Sequence, residues 1–152
     1  MKILHLSDLH FTASGISQDV VISSLSRKIE GLCKEEAKPN IIVLTGDIAF
    51  SGKDEEYAKA KGFIDNIAQF CGIGVEGIFI IPGNHDVDRS KIEKKFFNWF
   101  YKFNREEELN DVLTTSQAME VIKGGTKAYF EFIKQYMSGK TSIGDLGEYV
   151  ST

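Results

Sequence analysis

The chain has 152 residues and a mass of 17.0 kDa, with 42% hydrophobic and 26% charged residues. This composition is typical of one globular domain with one core. The formal net charge of -4 and the isoelectric point near 5.4 exclude a basic surface that would hold a nucleic-acid backbone or an anionic membrane by charge alone. An anionic ligand would therefore need cations placed locally.

Two features of the sequence bear on the compartment. The N-terminal residues lack the long apolar core and the cleavage site of a signal peptide, and no run of the sequence could span a bilayer. Cys33 and Cys71 each fall on the apolar side of a predicted helix, which favours buried, reduced thiols over a disulfide or a metal clip. We therefore expect a cytoplasmic protein without a membrane anchor.

The first half of the chain alternates between short apolar runs and segments of helical periodicity. Strands are predicted at residues 2–6, 40–44 and 77–81, where β-branched apolar runs are bounded by turn residues. Helices are predicted at 19–34 and 54–71, each long enough to be a crossover. The order β-α-β-α-β predicts an α/β fold, with a mainly parallel β-sheet flanked by helices and a helical C-terminal part.

The C-terminal part has a different character. Residues 90–104 combine many aromatic side chains with lysines and predict an aromatic-rich helix, a second helix is predicted at 126–137, and a short strand at 148–150. Two interpretations of the aromatic helix stay open. Its rings form either an exposed platform for a substrate base or a partner, or, as the density of rings favours, part of a packed core.

Side chains that can bind metals follow each of the three predicted strands. Asp8 and His10 follow the first strand, Asp47 the second, and Asn84 and His85 the third. The carboxyl ends of parallel strands share one edge of a sheet, where sites form in open α/β folds. Each motif alone would more often be a turn or a helix cap, but together they favour one site. Mixed oxygen and nitrogen ligands suit divalent first-row metals better than calcium or sulfur-rich zinc sites.

These motifs resemble the signature of a known family. Asp8-Leu9-His10, Gly46-Asp47 and Gly83-Asn84-His85-Asp86 are similar, in order and in position after strands, to the motifs of the calcineurin-like metallophosphoesterases. The resemblance covers residues 1 to about 90 and implies the start of that family's α/β sandwich. It also implies hydrolysis of phosphate esters, either phosphomonoesters or phosphodiesters, with nucleic acid possible only as a substrate.

The resemblance implies a role for each site residue. Asp8 and His10 would bind one of two divalent metal ions, Asp47 would bridge both, and Asn84 would bind the second. The ions, whether manganese, iron, nickel or zinc, would clamp phosphoryl oxygens and lower the pKa of a bridging water enough to form hydroxide at neutral pH. His85 would not bind metal but would stabilise charge on the phosphoryl oxygens or protonate the leaving alkoxide.

The sequence departs from the family pattern after the third motif. The family completes its metals with later histidines, whereas the 3 histidines here are His5, His10 and His85. We expect residues 1–152 to be a single, truncated domain, with a motif-bearing half at 1–90, a mostly helical extension at 91–152, and further domains of a longer chain as partners. An intact protein with one weakly bound metal and a catalytically inactive binding or regulatory module are the alternatives, and the oligomeric state is not indicated.

Several smaller signals refine this expectation. Phe50 and Ser51 stand where protein serine/threonine phosphatases of the family have Asp and Arg, which favours the phosphodiesterase-like bacterial branches. Arg89 could place a cation near phosphate, or pair with an acidic neighbour or cap a helix. The Gly-x-Gly-x-x-Gly pattern at 72–77 follows a helix and precedes a strand, so we interpret it as a helix stop and loop. Gly139-Lys140-Thr141 is predicted to be a loop, and His5 a packed histidine.

Overall fold

The structure is a computed structural model that describes residues 1–34, 38–92 and 115–137. The predicted strand at 148–150, the Gly139-Lys140-Thr141 segment and most of the predicted aromatic helix lie outside the described residues. The first residues of that predicted helix belong to a 3₁₀ turn at Arg89–Lys91. Within the described ranges, no helix has the length and apolar character needed to cross a membrane.

The described elements confirm the predicted α/β class. They are, in chain order, β1 (Ile3–Leu6), α1 (Ile16–Lys34), β2 (Ile41–Thr45), α2 (Asp54–Cys71), β3 (Ile78–Ile81) and α3 (Ser116–Met137). The strands form one parallel sheet in the order β1-β2-β3, in which β2 pairs with both neighbours. The sequence connections β1-β2 and β2-β3 therefore contain one crossover helix each, as parallel strands require.

The helices cover one face of the sheet. Ile42 and Leu44 of β2 are buried in one cluster with Ile64 of α2, and α2 in turn packs between α1 and α3. Alternate strand residues point to the other face, where Phe79 and Ile81 are 49% and 57% exposed. The described residues thus bury one side of the sheet only.

His5 lies on this uncovered face, so the prediction of a packed histidine is wrong for the described chain. Its side chain is exposed, and Nε2 lies 2.6 Å from the hydroxyl oxygen of Thr45 on the neighbouring strand. The physical reason is the one-sided burial of the sheet. Leu4 and Leu6 are partly buried against the core, so His5 between them points to the uncovered face.

The bounds predicted for α2 are confirmed at both ends. At its start, the buried Glu56 accepts hydrogen bonds from the backbone N–H groups of Ser51 and Lys53. At its end, Gly72 adopts a left-handed conformation with φ 66°, and its N–H donates to the Gln69 carbonyl. The glycine pattern at 72–77 is therefore a helix stop, and a 3₁₀ turn at Val75–Gly77 leads into β3.

The C-terminal helix α3 begins ten residues before the predicted start at 126. Gly124 and Gly125 directly precede the predicted start, and glycine weakens helices. In the structure these glycines are inside α3, and a Cβ atom on Gly125 would lie 3.1 Å from Val87 Cγ1 and 3.2 Å from Ile92 Cδ1. The Gly125 carbonyl also accepts a hydrogen bond from the Asp88 N–H at 2.8 Å. Gly125 therefore allows the loop after β3 to pack closely against α3.

Cys33 and Cys71 form a disulfide, so the prediction of reduced thiols is wrong, although both side chains are buried as expected. The two helices pack side by side on the same face of the sheet, and each cysteine lies in the last turn of its helix. Their Cα atoms are consequently 5.1 Å apart, within the range that a disulfide spans. Neither helix by itself carries a signal for this pairing.

Candidate metal centre

Three of the predicted metal ligands have an unusual backbone conformation. Asp8, His10 and Asp47 have φ values of 56°, 46° and 50°, and they are the non-glycine residues with positive φ in the described part of the chain. Asp and His tolerate this left-handed region better than most residues, yet it still costs roughly 1–3 kcal/mol per residue. Such conformations persist where the surroundings enforce them, and they cluster at functional sites.

The surroundings here are the loops that follow the three strands: the β1 loop (7–15), the β2 loop (46–53) and the β3 loop (82–92). Backbone hydrogen bonds continue the sheet pairing into these loops, from the Asp8 N–H to the Gly46 carbonyl at 3.2 Å and from the His10 N–H to the Asp47 carbonyl at 2.9 Å. The Gly46 N–H donates to the Ile81 carbonyl at 3.0 Å. Each left-handed residue is therefore held by its neighbour loop.

Asp47 lies where the β2 and β3 loops touch. Its Oδ1 accepts a hydrogen bond from the backbone N–H of His85 at 2.9 Å. A Cβ atom on Gly83 would collide with the carboxylate and the backbone N of Asp47, and one on Gly46 would lie 3.0 Å from the Gly83 Cα atom. Gly46 and Gly83 therefore let the β2 and β3 loops approach each other closely. Because Oδ1 is bound by the His85 N–H, Oδ2 is the Asp47 oxygen that does not take part in this backbone contact.

Asp86, the last residue of the third motif, connects the β2 and β3 loops from within the core. Its side chain is 1% exposed. Oδ2 accepts from the N–H groups of Ile48 and Gly83, and Oδ1 accepts from the Ala49 N–H and the Tyr57 hydroxyl, at 2.9–3.1 Å. Asp86 belongs to the third motif, but no role was predicted for it from the sequence. No sequence signal could have found this role, because it depends on which backbone N–H groups the folded loops leave without partners.

The loops bring two imidazoles and one carboxylate to one place. Ligand atoms of His10, Asp47 and His85 all lie within 4.8 Å of one another. His10 Nε2 is 3.8 Å from Asp47 Oδ2, and the rings of His10 and His85 meet edge to face with centroids 4.8 Å apart. His10 Nδ1 is buried without a hydrogen-bond partner. A buried imidazole nitrogen without a partner and a mixed nitrogen and oxygen donor set both fit a divalent transition metal.

The remaining predicted ligands, Asp8 and Asn84, are both exposed. Asp8 is exposed, lies outside the group of His10, Asp47 and His85, and accepts a hydrogen bond from the Ser7 hydroxyl. Asn84 is an exposed residue of the β3 loop, next to His85 in the chain. The structure therefore brings together His10 and Asp47, which the resemblance assigned to metal, and His85, which it assigned to the phosphate.

The ring of His85 is held by the neighbouring loop. Its Nδ1 lies 2.7 Å from the carbonyl oxygen of Phe50. Because a carbonyl oxygen only accepts hydrogen bonds, Nδ1 carries the proton in this contact. The Nε2 atom is consequently the nitrogen that His85 has available for a metal or a substrate.

A family model described as calcineurin-like phosphoesterase matches residues 1–145 of the chain. The chain belongs to the calcineurin-like phosphoesterases. The motif resemblance ends near residue 90, whereas the match of this family model extends into and beyond α3. Enzymes of this family use divalent metals, and in this calcineurin-like phosphoesterase His10, Asp47 and His85 form the candidate group for holding them.

Curated relatives of this calcineurin-like phosphoesterase are distant and longer. It is 28% identical over 146 residues to the uncharacterized metallophosphoesterase-like protein YydB of Bacillus subtilis strain 168, which covers 96% of the chain and 30% of the relative. It is 34% identical over 90 residues to a probable cyclic nucleotide phosphodiesterase of Rhodococcus erythropolis, covering 58% of the chain and 29% of the relative. The chain thus spans less than a third of the length of these relatives.

A third relative is named for a different phosphodiester substrate. The chain is 27% identical over 108 residues to a probable glycerophosphodiester phosphodiesterase, GpdQ, of Arcobacter nitrofigilis, covering 68% of the chain and 37% of that protein.

Proposed function

We propose that this chain carries the metal-binding part of a phosphoester hydrolase whose substrates are phosphodiesters. The observation that carries the proposal is the group formed by His10, Asp47 and His85, whose ligand atoms lie within 4.8 Å at the carboxyl edge of a parallel sheet. The choice of diesters over monoesters is supported by the phosphodiesterase names of two relatives.

Four residues would hold the ions in this proposal. His10 and Asp47 would contribute the central ligands, and Asp8 and Asn84 would complete the coordination from the rim. Two divalent ions, of manganese, iron, nickel or zinc, are the proposed cofactors, and when bound they supply Lewis-acid activation of a phosphoryl oxygen and of water. The backbone N–H of His85 fixes Asp47 Oδ1, which prevents rotation of this carboxylate away from the site.

His85 would transfer a proton to the leaving oxygen. The bond from Nδ1 to the Phe50 carbonyl fixes the tautomer and the ring plane. A protonated Nε2 could then donate to the leaving alkoxide or stabilise charge on the phosphoryl group, a role worth on the order of a hundredfold or more in rate. The alternative, His85 as a third metal ligand, is favoured by the same 4.8 Å grouping, and the experiment has to separate the two.

The test is metal content and manganese titration of the chain, compared with Asp47→Asn and His85→Ala. We expect Asp47→Asn to lose bound metal. We expect His85→Ala to retain it, while the full-length His85→Ala protein loses hydrolysis of a glycerophosphodiester, whose alkoxide leaving group needs a proton. The matched control is Asp88→Asn, which alters a carboxylate outside the group that instead accepts hydrogen bonds from Ser90. Loss of metal in His85→Ala would assign His85 to the metal.

The competing proposal is a binding or regulatory module that keeps the fold without catalysis. It is supported by the exposed position of Asp8, which lies outside the group of His10, Asp47 and His85. Metal binding without any hydrolysis of mono- or diesters by the full-length protein would favour this module over the hydrolase.

A further inference from the structure

A cleft of about 340 Å³ opens beside His85 and has no role in the metal group itself. The side chains of Phe50, Lys53, Val87 and Arg89 line it together with His85. Its walls come from the β2 and β3 loops, the same loops that position Asp47. A substrate whose phosphate lies at the metal centre would therefore have its next group in this cleft.

Phe50 presents an aromatic surface to the cleft. Its side chain is 52% exposed, and its ring centroid lies 5.6 Å from that of His85 and 6.1 Å from that of His10. The residues just before it, Ile48 and Ala49, are 1% and 0% exposed and anchor the β2 loop in the core. The loop therefore does not need the Phe50 ring for its packing, which leaves the ring available to a ligand.

The cleft also has cations at its rim. Among the described residues, neither Lys53 nor Arg89 lies within ion-pair distance of a carboxylate, and one Arg89 nitrogen donates to the Asn84 carbonyl at 3.5 Å. The carboxylate that lines the cleft, Asp88, accepts hydrogen bonds from the Ser90 N–H and hydroxyl. The nearby Glu56 is occupied by Ser51 and the Lys53 N–H.

We propose that this cleft binds a planar aromatic group that the substrate carries next to the scissile phosphate, either directly or through a sugar. The ring stacks on Phe50, and any further negative charge of the substrate pairs with Lys53 and Arg89. This specificity rests on the proposed function, because it places the group next to the phosphate that His85 would contact. A nucleobase and an aryl ester share this chemistry, and the choice of probes separates them.

The experiment measures binding to the full-length, metal-loaded protein by calorimetry, with adenosine monophosphate, phenyl phosphate and ribose 5-phosphate as probes. We expect Phe50→Leu to raise the Kd of both aromatic probes by about fivefold or more and to leave that of ribose 5-phosphate unchanged, since base stacking on an aromatic side chain contributes on this scale. Phe50→Tyr keeps a ring and should retain the affinity. Tighter binding of the nucleotide than of phenyl phosphate identifies a nucleobase as the natural group.

The cations have their own comparison. Arg89→Gln and Lys53→Gln should each weaken binding of adenosine diphosphate, which carries a second phosphate, and leave that of adenosine unchanged. Lys28→Gln, which removes an exposed charge from the second half of α1, should change neither.

Two results would overturn the proposal: equal affinity of Phe50→Leu and the unaltered protein for the aromatic probes, or a Tm of Phe50→Leu lowered by several degrees, which would show that the rest of the protein buries this ring. If Phe50→Leu hydrolyses diesters as fast as the unaltered protein, the proposed aromatic site is rejected, but the proposed hydrolase function is not. If Phe50→Leu weakens binding of the aromatic probes but the unaltered protein hydrolyses no ester, the hydrolase function is rejected and the aromatic site is retained.

Discussion

The hydroxyl of Tyr57 and Oδ1 of Asp86 lie 3.0 Å apart in the buried core, and their hydrogen bond joins α2 to the loop that carries His85. The same carboxylate accepts from three backbone N–H groups, two in the β2 loop and one in the β3 loop. One side chain thus connects a helix and two loops. The position of Asp47 between those loops depends on it.

Replacement of Asp86 by Asn tests this connection. Asn has the same shape but offers one oxygen, so in either orientation its NH₂ group faces donors where the structure has an acceptor. We expect the free energy of unfolding to fall by roughly 2–4 kcal/mol, since bonds to a buried charged acceptor are strong and unsatisfied donors are costly. Urea denaturation measures the change, and manganese titration should show weaker binding as well.

The control for Asp86→Asn is Asp19→Asn, which removes a surface ion pair with Lys59. Exposed pairs contribute little, so its free energy of unfolding should stay within about 0.5 kcal/mol of the unaltered protein. Equal stability of both variants would contradict the role assigned to Asp86.

Alkaline pH should destabilise the fold through its buried tyrosines. Burial raises the pKa of Tyr57 and of Tyr129, with the charge of Asp86 as the next cause, and burial raises the pKa of Tyr136 beside Asp65. The neutral phenol is favoured in the folded state, so each contribution is complete below the unfolded pKa of about 10 and is lost as the pH rises above it towards the folded pKa. Urea denaturation across this range should show stability falling with pH.

Tyr57→Phe should make that pH dependence shallower, because one of the groups that resist ionisation is gone. The same variant should be less stable near neutral pH, since Asp86 loses a donor. If Tyr57→Phe and the unaltered protein lose stability equally steeply above a pH of about 10, Tyr57 ionises as readily in the folded protein as in the unfolded chain.

Two glycine-to-alanine changes should act differently: Gly83→Ala should weaken metal binding, and Gly62→Ala should stabilise the fold. In Gly83→Ala the new methyl group would collide with the Asp47 carboxylate, so we expect metal affinity to fall at least tenfold. In Gly62→Ala, inside α2, a Cβ atom would meet nothing within 4 Å, and a gain of about 0.5–1 kcal/mol in unfolding free energy should follow from helix propensity. Calorimetric metal titration and urea denaturation of both variants check the pair, and unaltered metal binding in Gly83→Ala would contradict the geometry at Asp47.

Reduction of the Cys33–Cys71 bond should destabilise the protein. The bond joins residues 38 apart, for which the chain-entropy model gives about 4 kcal/mol. Unfolding with and without dithiothreitol measures the effect, and the double variant Cys33→Ala, Cys71→Ala should not respond to reductant. The pairing also conflicts with the expected cytoplasmic compartment, where disulfides are rare. Alkylation of the protein in freshly lysed cells decides whether the thiols are free there.

Local patterns predicted much of this fold because each depends on neighbouring residues. The bounds of α2 follow from helical spacing that ends at Gly72, and the strands follow from short β-branched runs. The pairing of Cys33 with Cys71 could not be predicted in the same way, because it depends on how α1 and α2 pack. The same limit applies to α3, whose inner Gly125 makes sense only beside Val87 of the β3 loop.

The candidate site shows the same division. The proximity of His10, Asp47 and His85 could be expected because the carboxyl ends of parallel strands share one edge. The function of Asp86 depends on which backbone N–H groups the loops leave without partners, and that information appears only when the loops are folded. The bond from His85 Nδ1 to the Phe50 carbonyl is likewise a property of two loops together.

The left-handed backbone at Asp8, His10 and Asp47 also constrains how this site can decay during evolution. A descendant that no longer needed a metal would be free to change these side chains, but not to any residue. Glycine and asparagine fit the conformation at little cost, whereas valine or isoleucine would strain it. Glycine or asparagine at these positions in a homologue would therefore be the expected trace of abandoned chemistry, and retained aspartate and histidine there would indicate selection for more than the shape of the turn.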